Sequence, residues 1–346
     1  MKINDKSINV IVPFGYSSFQ KEREGILQTV VKNCLAKQTC PNIRIVFVEA
    51  SEDKTQIHFA KSICDEYIFI KTSQESFGSG TVQNQGFLLS KKSPFIYIHQ
   101  ADFLLPTNAI EKSFQIMKES SAPFIFPFFS SINLSKPLTE AVVSGIVDWE
   151  KLYQALWDIN KLVKKETLSK GFEKRIKLNE NQLKIIKCAL PDGLMTKFLK
   201  LKPDQVWGED DGSFTYFSGF YNVDGESDVL LNYRPGARAK ASYLAKSDAY
   251  AKTGGPPSFI GWAPDDLGFW ARVQTLFDYS IKNEQIYYKD CVLTTDMPLV
   301  HMWHSTSKRP GYYNLLKENA KRVNDFIGKS RAERLKEIKP LKWSLN

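Results

Sequence analysis

The sequence predicts an α/β fold with a mostly parallel central sheet flanked by helices, interrupted by a helical insertion and followed by a C-terminal helix. Three observations predict it. Apolar strands alternate with helically spaced apolar residues about four times in the first 130 residues; alternation of this kind builds a parallel sheet with helices on both faces. The stretch "IRIVFVEAS", Ile43 to Ser51, is β-branched and almost wholly apolar, as a strand covered on both faces is. No G-x-G-x-x-G follows the first strand, which disfavours a dinucleotide-binding variant of such a sheet.

The elements follow in order. "INVIVPF" (Ile8 to Phe14) is a short strand that ends near Pro13, and Ile26, Leu27, Val30, Val31 and Cys34 recur at helical spacing. After the second strand come a helix with Ile57, Ala60 and Ile63, the strand "YIFIKT", a helix around "TVQNQGFLLSKK" and the strand "PFIYIH". Asn108 and Glu111 have capping-box spacing ahead of a helix with Ile110, Phe114 and Met117, and "PFIFPFF" is the next strand. Ligands of open α/β sheets bind beyond the C-terminal strand ends. Pro13, Glu49 and Asp102 all fall at such ends and are expected to line one crevice. Residues 131–238 change character, with lysine-rich helices expected over Val147 to Val163 and Phe172 to Cys188. Then "AKASYLAK" reads as a strand and "SDAYAKTGG" as a short helix stopped by Gly254 or Gly255. "PPSFIGWAPDDLGFWARVQTLF" reads as a loop entering a helix, "IYYKDCVLTTDMPLVHMWHS" as strand-like, and the tail from Tyr312 as helical.

With 42% hydrophobic and 25% charged residues the chain reads as soluble and globular. No apolar run approaches the roughly 20 residues a membrane span needs, and the N-terminal run is too short for a signal peptide. Five scattered cysteines contain no C-x-x-C pair, so reduced thiols in a cytoplasmic setting are expected. The net charge of +9 favours anionic partners such as nucleotide diphosphates or lipid headgroups; solubility alone also accounts for it. A nucleic-acid partner is not expected, because no helix-turn-helix, RNA-recognition or zinc pattern is present.

Four places can carry chemistry. "FIYIHQADFLLP" ends a strand at one acid, Asp102, where metal-dependent nucleotide-sugar enzymes have two, D-x-D; Gln100 stands at the first position. His301 and His304 are two of only four histidines and can converge on a metal where the backbone turns, although such pairs are more often packing or surface residues. In "GWAPDDLGFWAR", Asp265 and Asp266 open a helix. They are equally well read as first-turn acids favoured by the macrodipole or as a general base and its neighbour beside a sugar-stacking Trp262. "GEDDG", Gly208 to Gly212, has three acids between glycines but lacks a calcium-loop pattern and reads as a solvated loop.

Together these pieces resemble the GT-A glycosyltransferases, which use nucleotide sugars on a Rossmann-like sheet, especially the family 2-like enzymes and the galactosyltransferase/N-acetylgalactosaminyltransferase branch. The resemblance covers residues 1–130 and about Ala239 to Ser305. "VIVPFGYSSFQKEREGILQTVVKNCLAKQ" is similar to the family's opening strand and helix. "VQNQGFLLSKKSPFIYIHQAD" is similar to its "R-N-x-G-x-x-x-A" helix and D-x-D strand, with Gln83 in place of the basic residue. "TGGPPSFIGWAPDDLGFWAR" is similar to "G-G-F…G-W-G-x-E-D", with Arg272 as the trailing arginine.

The resemblance implies a nucleotide-sugar half over 1–130, a mainly helical insertion over 131–238, a catalytic half over 239–310 and a helical tail over 311–346. It implies nucleotide contacts from Pro13, Phe14, Glu49, Asn84, Gln100 and Ala101. Acceptor contacts would come from Gly261, Trp262 and Asp265, and the base would be Asp266. "HMWHS" is similar to the branch's late metal-binding histidine segment, so His301 and His304 would join Asp102 on Mn²⁺, or Mg²⁺ in its place; imidazole favours Mn²⁺. The implied partners are a UDP-sugar and a saccharide or glycolipid acceptor, with peripheral association at the inner membrane. Gln100 in place of an acid also fits a non-catalytic relative that binds UDP or glycan without turnover.

Overall fold

The computed structural model describes residues 8–15, 21–73, 77–128, 130–134, 136–167, 175–177, 188–189, 230–232, 242–260, 265–277, 281–282, 285–286, 292–304 and 315–344. The strands are β1 (Ile8–Gly15), β2 (Ile43–Ser51), β3 (Glu66–Lys71), β4 (Phe95–Ile98), β5 (Phe103–Leu104), β6 (Phe124–Phe126), β7 (Ser130–Asn133), β8 (Arg175–Lys177), β9 (Leu230–Asn232), β10 (Tyr243–Lys246), β11 (Ile281–Lys282), β12 (Gln285–Ile286), β13 (Val292–Thr294) and β14 (Pro298–His301). The helices are α1 (Glu22–Val30), α2 (Ile57–Ile63), α3 (Ser79–Leu89), α4 (Ala109–Glu119), α5 (Lys136–Val143), α6 (Trp149–Thr167), α7 (Ser247–Thr253), α8 (Asp265–Phe277), α9 (Leu316–Gly328) and α10 (Arg331–Glu337).

The main sheet has seven strands in the order β13-β6-β10-β4-β1-β2-β3. Every neighbouring pair is parallel except those of β10, which runs antiparallel between β4 and β6. The α/β expectation with a mostly parallel sheet is therefore met. β1 is buried along its whole length, which is why its residues alternate so little in polarity. Gly86 of α3 lets the helix close onto this sheet: a Cβ there would stand 2.8 Å from both Ile11 and Val48 side chains. Gly254 ends α7 in the left-handed conformation, at φ 74°, where glycine carries no Cβ penalty.

A smaller sheet, β5-β14-β7, stands beside the first. β14 runs parallel to β7 and antiparallel to β5, with His301 opposite Phe103.

Several expectations need correction. Asn108 makes no side-chain cap. The Ile110 amide of α4 instead donates to the Gln38 side chain at 3.1 Å, and Glu111 accepts from Thr39. A carboxamide from the distant turn before β2 thus does the work of a local cap. The stretch expected as a helix from Phe172 to Cys188 contains β8, which pairs antiparallel with β9; cross-strand hydrogen bonds override the local helical pattern. The segment "IYYKDCVLTTDMPLVHMWHS" is not one strand, since β13 and β14 belong to different sheets. Leu134, Leu138, Val142, Leu152 and Leu156, all placed in the insertion, are buried in the main core. "GEDDG" lies outside the described residues. Among the described residues, no helix is long and apolar enough to cross a membrane.

Candidate metal and nucleotide-sugar site

The turn after β4 carries Asp102, and β5 follows at once. Because β5 pairs with β14, the Met302 amide donates to the Asp102 carbonyl at 2.9 Å. The Trp303 amide donates to Thr139 Oγ1 of α5 at 2.8 Å. Backbone pairing on one side and a helix hydroxyl on the other thus hold the His301–His304 segment against Asp102. His99 ties the turn from beneath: its Nε2 lies 2.9 Å from the Phe103 carbonyl oxygen. Burial pushes its imidazole down to about 4, against the weaker upward pull of that contact and of Asp102. The ring is therefore neutral near pH 7 and donates to that carbonyl.

Asp102 is 6% exposed. Its Oδ2 lies 2.9 Å from His304 Nε2, 3.7 Å from His301 Nε2 and 3.5 Å from an Arg23 guanidinium nitrogen. Burial alone would raise this carboxyl; hydrogen bonds from His301 and His304, with their charge, hold it well below the usual range. One ligand atom from each of Asp102, His301 and His304 lies within 4.8 Å of the others. A buried anionic oxygen with two converging imidazoles fits a first-row divalent cation better than Mg²⁺, which takes oxygen ligands. The three residues grouped for metal binding do meet, and Arg23 joins them. Arg23 was missed. The only signal in sequence was a cation in the first turn of α1, where the macrodipole disfavours one.

The aspartate pair sits at a second junction. α3 follows β3, so its N-terminus lies at the C-terminal side of the sheet, as Asp102 does. Asp265 Oδ2 accepts from the Gly80 amide in that first turn, at 3.2 Å. The start of α8 is thereby brought to the same side of the sheet. The loop from Gly255 to Ile260 lies directly on the start of α3: a Cβ at Gly78 would meet the Phe259 carbonyl oxygen at 1.9 Å, and one at Gly80 the Pro257 oxygen at 2.3 Å. Asp265 is therefore no exposed acceptor contact. It is buried, its Oδ1 has no partner, and burial followed by the charge of Asp266 raises its carboxyl well above the usual range. It is a buried anchor between two helices. Asp266, its half-buried neighbour, stands at the first turn of α8. Gly261 and Trp262 lie outside the described residues.

The other residues expected to contact the nucleotide are placed as follows. Glu49 is fully buried and spends both oxygens on its own fold. Oε1 accepts from Ser51, the Thr55 amide and the Thr55 hydroxyl, and Oε2 accepts from the Gln56 amide and from Tyr67. It organises the loop after β2 and offers no free acceptor to a ribose. Asn84 bridges the Pro256 carbonyl at 2.9 Å and the Tyr250 hydroxyl at 2.9 Å, and Arg272 donates to the Gly255 carbonyl at 2.9 Å. Both clamp the 255–260 loop. The Phe14 ring packs on Phe47 in the core, and Pro13 and Ala101 are buried. Gln100 is half-buried, and its amide donates to Ser242 Oγ at 3.1 Å.

No family model and no curated protein matches the chain. Solved structures do. One is S. aureus TarS, 11% identical over 95% of this chain and 41% of that one, with a TM-score of 0.45. Another is a mannosyltransferase from Pyrobaculum calidifontis in complex with GDP-Man and Mn²⁺, 12% identical over 96% and 65%, TM-score 0.40. A third is glucosyl-3-phosphoglycerate synthase from Mycobacterium tuberculosis with Mn²⁺, UDP and phosphoglyceric acid, 8% identical over 93% and 78%, TM-score 0.44. The chain spans less than half the length of that TarS chain. At these identities and scores the likeness assigns no residue and no substrate.

Proposed function

We propose that the protein is a metal-dependent, inverting glycosyltransferase of the GT-A type. It moves a hexose or N-acetylhexosamine from a UDP-sugar to a glycan acceptor in bacterial surface polysaccharide synthesis, in the cytoplasm or at the inner membrane face. One observation carries this reading: Asp102, His301 and His304 offer three ligand atoms within 4.8 Å at the C-terminal side of a mostly parallel sheet.

Asp102, His301 and His304 would hold Mn²⁺, which when bound supplies Lewis-acid neutralisation of the charge on the departing UDP. Asp266 takes the proton of the acceptor hydroxyl as its oxygen attacks the anomeric carbon from the face opposite UDP. Asp265, buried and tied to Gly80, sets where the first turn of α8 presents that base. The 255–260 loop, held by Asn84 and Arg272, shields the donor from water.

The test is a transfer and hydrolysis panel of UDP-sugars with Mn²⁺, Mg²⁺ or chelator. Asp266→Asn is expected to keep UDP binding and to lose about 10²–10⁴-fold in transfer, the usual worth of a general base. Full turnover in that variant removes the base assignment, and indifference to chelator removes the metal. Gln100 in place of an acid favours a second reading, a subunit that binds UDP with Mn²⁺ and transfers nothing; binding without turnover across the panel would select it.

A further inference from the structure

Arg23 is in the wrong place for a helix and the right place for a phosphate. It sits in the first turn of α1 beside Glu22 and Glu24. The partial positive charge of a helix N-terminus favours those acids and disfavours an arginine. Its guanidinium nevertheless reaches Asp102 Oδ2 at 3.5 Å, the same oxygen that His304 and His301 approach at 2.9 and 3.7 Å. The Arg23 side chain is 21% exposed against 9% for Asp102, so it is the more solvent-accessible partner of the pair. α1 itself is held in place: Gly25 faces Val143 of α5, where a Cβ would stand at 3.1 Å.

A divalent ion on Asp102 Oδ2 competes with the guanidinium for that oxygen's negative charge, because two cations repel at such range. Entry of the metal therefore weakens the hold of Asp102 on Arg23. The diphosphate that the ion brings with it is an anion the guanidinium can then take. A guanidinium's planar fork matches phosphate oxygens two at a time, which an ammonium cannot do.

Resting on the glycosyltransferase reading above, we infer that Arg23 exchanges between two partners: the Asp102 carboxylate before loading, and the donor diphosphate after it. The exchange makes metal and nucleotide binding cooperative. Mn²⁺ alone weakens the Arg23–Asp102 pair with no phosphate to compensate, whereas Mn²⁺ with UDP gives Arg23 a better partner. By linkage each ligand then tightens the other by the same factor.

The experiment measures Mn²⁺ affinity by electron paramagnetic resonance, with and without saturating UDP, in the wild-type protein, Arg23→Gln and Arg23→Lys. In the wild-type protein UDP is expected to tighten Mn²⁺ within the roughly 5–150-fold range of linked sites. Arg23→Gln is expected to bind Mn²⁺ alone more tightly than wild type, since the competitor is gone, and to bind UDP more weakly. Its UDP-dependent tightening falls below that of the wild type, to the part that direct contact between Mn²⁺ and the diphosphate supplies. Arg23→Lys keeps the charge but not the fork and falls between. A merely structural ion pair would loosen the site, so weaker Mn²⁺ binding in Arg23→Gln overturns the inference, as does unchanged coupling. If wild-type protein binds Mn²⁺ but shows no affinity for UDP, the glycosyltransferase reading itself fails. The Mn²⁺-alone arm still decides whether Arg23 competes for Asp102.

Discussion

One carboxylate oxygen, Asp102 Oδ2, stands within 4 Å of two imidazoles and a guanidinium. Its neighbours are cationic or metal-binding groups, and none of them is adjacent to it in sequence. Asp102→Asn and His304→Ala are expected to weaken Mn²⁺ binding by more than the roughly 10–100-fold that loss of an outer-shell partner costs, as titration of the purified variants would show. Asp265 makes the opposite electrostatic statement. Its folded-state carboxyl is raised, so between its unfolded and folded values the native chain binds the extra proton. Stability from this residue is complete below the unfolded value, near 3.8, and is lost as pH rises through the raised folded one. Asp265→Asn keeps an oxygen for the Gly80 amide and should remove that slope, making the variant's melting temperature less sensitive to rising pH than the wild type's. An equal slope in both proteins would refute the raised carboxyl. Sequence alone could not show that Asp265 is buried while Asp266 is partly exposed.

At the scale of elements, two contacts decide the site. β5 is only two residues long, too short to be read from a hydrophobic pattern, yet its pairing with β14 is what brings His301 and His304 to Asp102. The start of α3 is the other. Gly80→Ala would drive a Cβ to 2.3 Å from the Pro257 oxygen, and that backbone is clamped by Asn84 and Arg272. Overpacking of this kind costs about 1–3 kcal/mol, to be read as a lower denaturant midpoint; an unchanged midpoint would mean the 255–260 loop is not seated on α3. α1 continues into a π-helical turn over Val31–Leu35 that buries Cys34. Burial pushes that thiol up to about 12, so Cys34 is expected to stay unlabelled by iodoacetamide at pH 8 until the chain is unfolded.

Over the whole molecule, distant segments close on the sheet. Trp343 packs on Phe87 of α3 with ring centroids 5.3 Å apart, and the Leu341 amide donates to the Ala251 carbonyl at 2.9 Å. Trp343→Ala should cost about 1–3 kcal/mol, in proportion to the apolar area it covers, and a melting temperature equal to wild type would show the tail to be incidental. Up to β6, and apart from β5, the order of strands and helices was legible from residue types alone. Strands covered on both faces must be apolar throughout, and helices packed on them must repeat near every 3.6 residues, so local pattern encodes them. The same reasoning placed Asp102 at a strand end and singled out the two late histidines. It could not see that Glu49, Asn84 and Asp265 are consumed by their own fold, because a carboxylate or amide looks equally free in sequence whatever later donates to it. Nor could it place β10 between β4 and β6, or Arg23 at the metal cluster. Those outcomes depend on pairings between segments far apart along the chain, where hydrogen bonds and charges act through space that only the folded backbone defines.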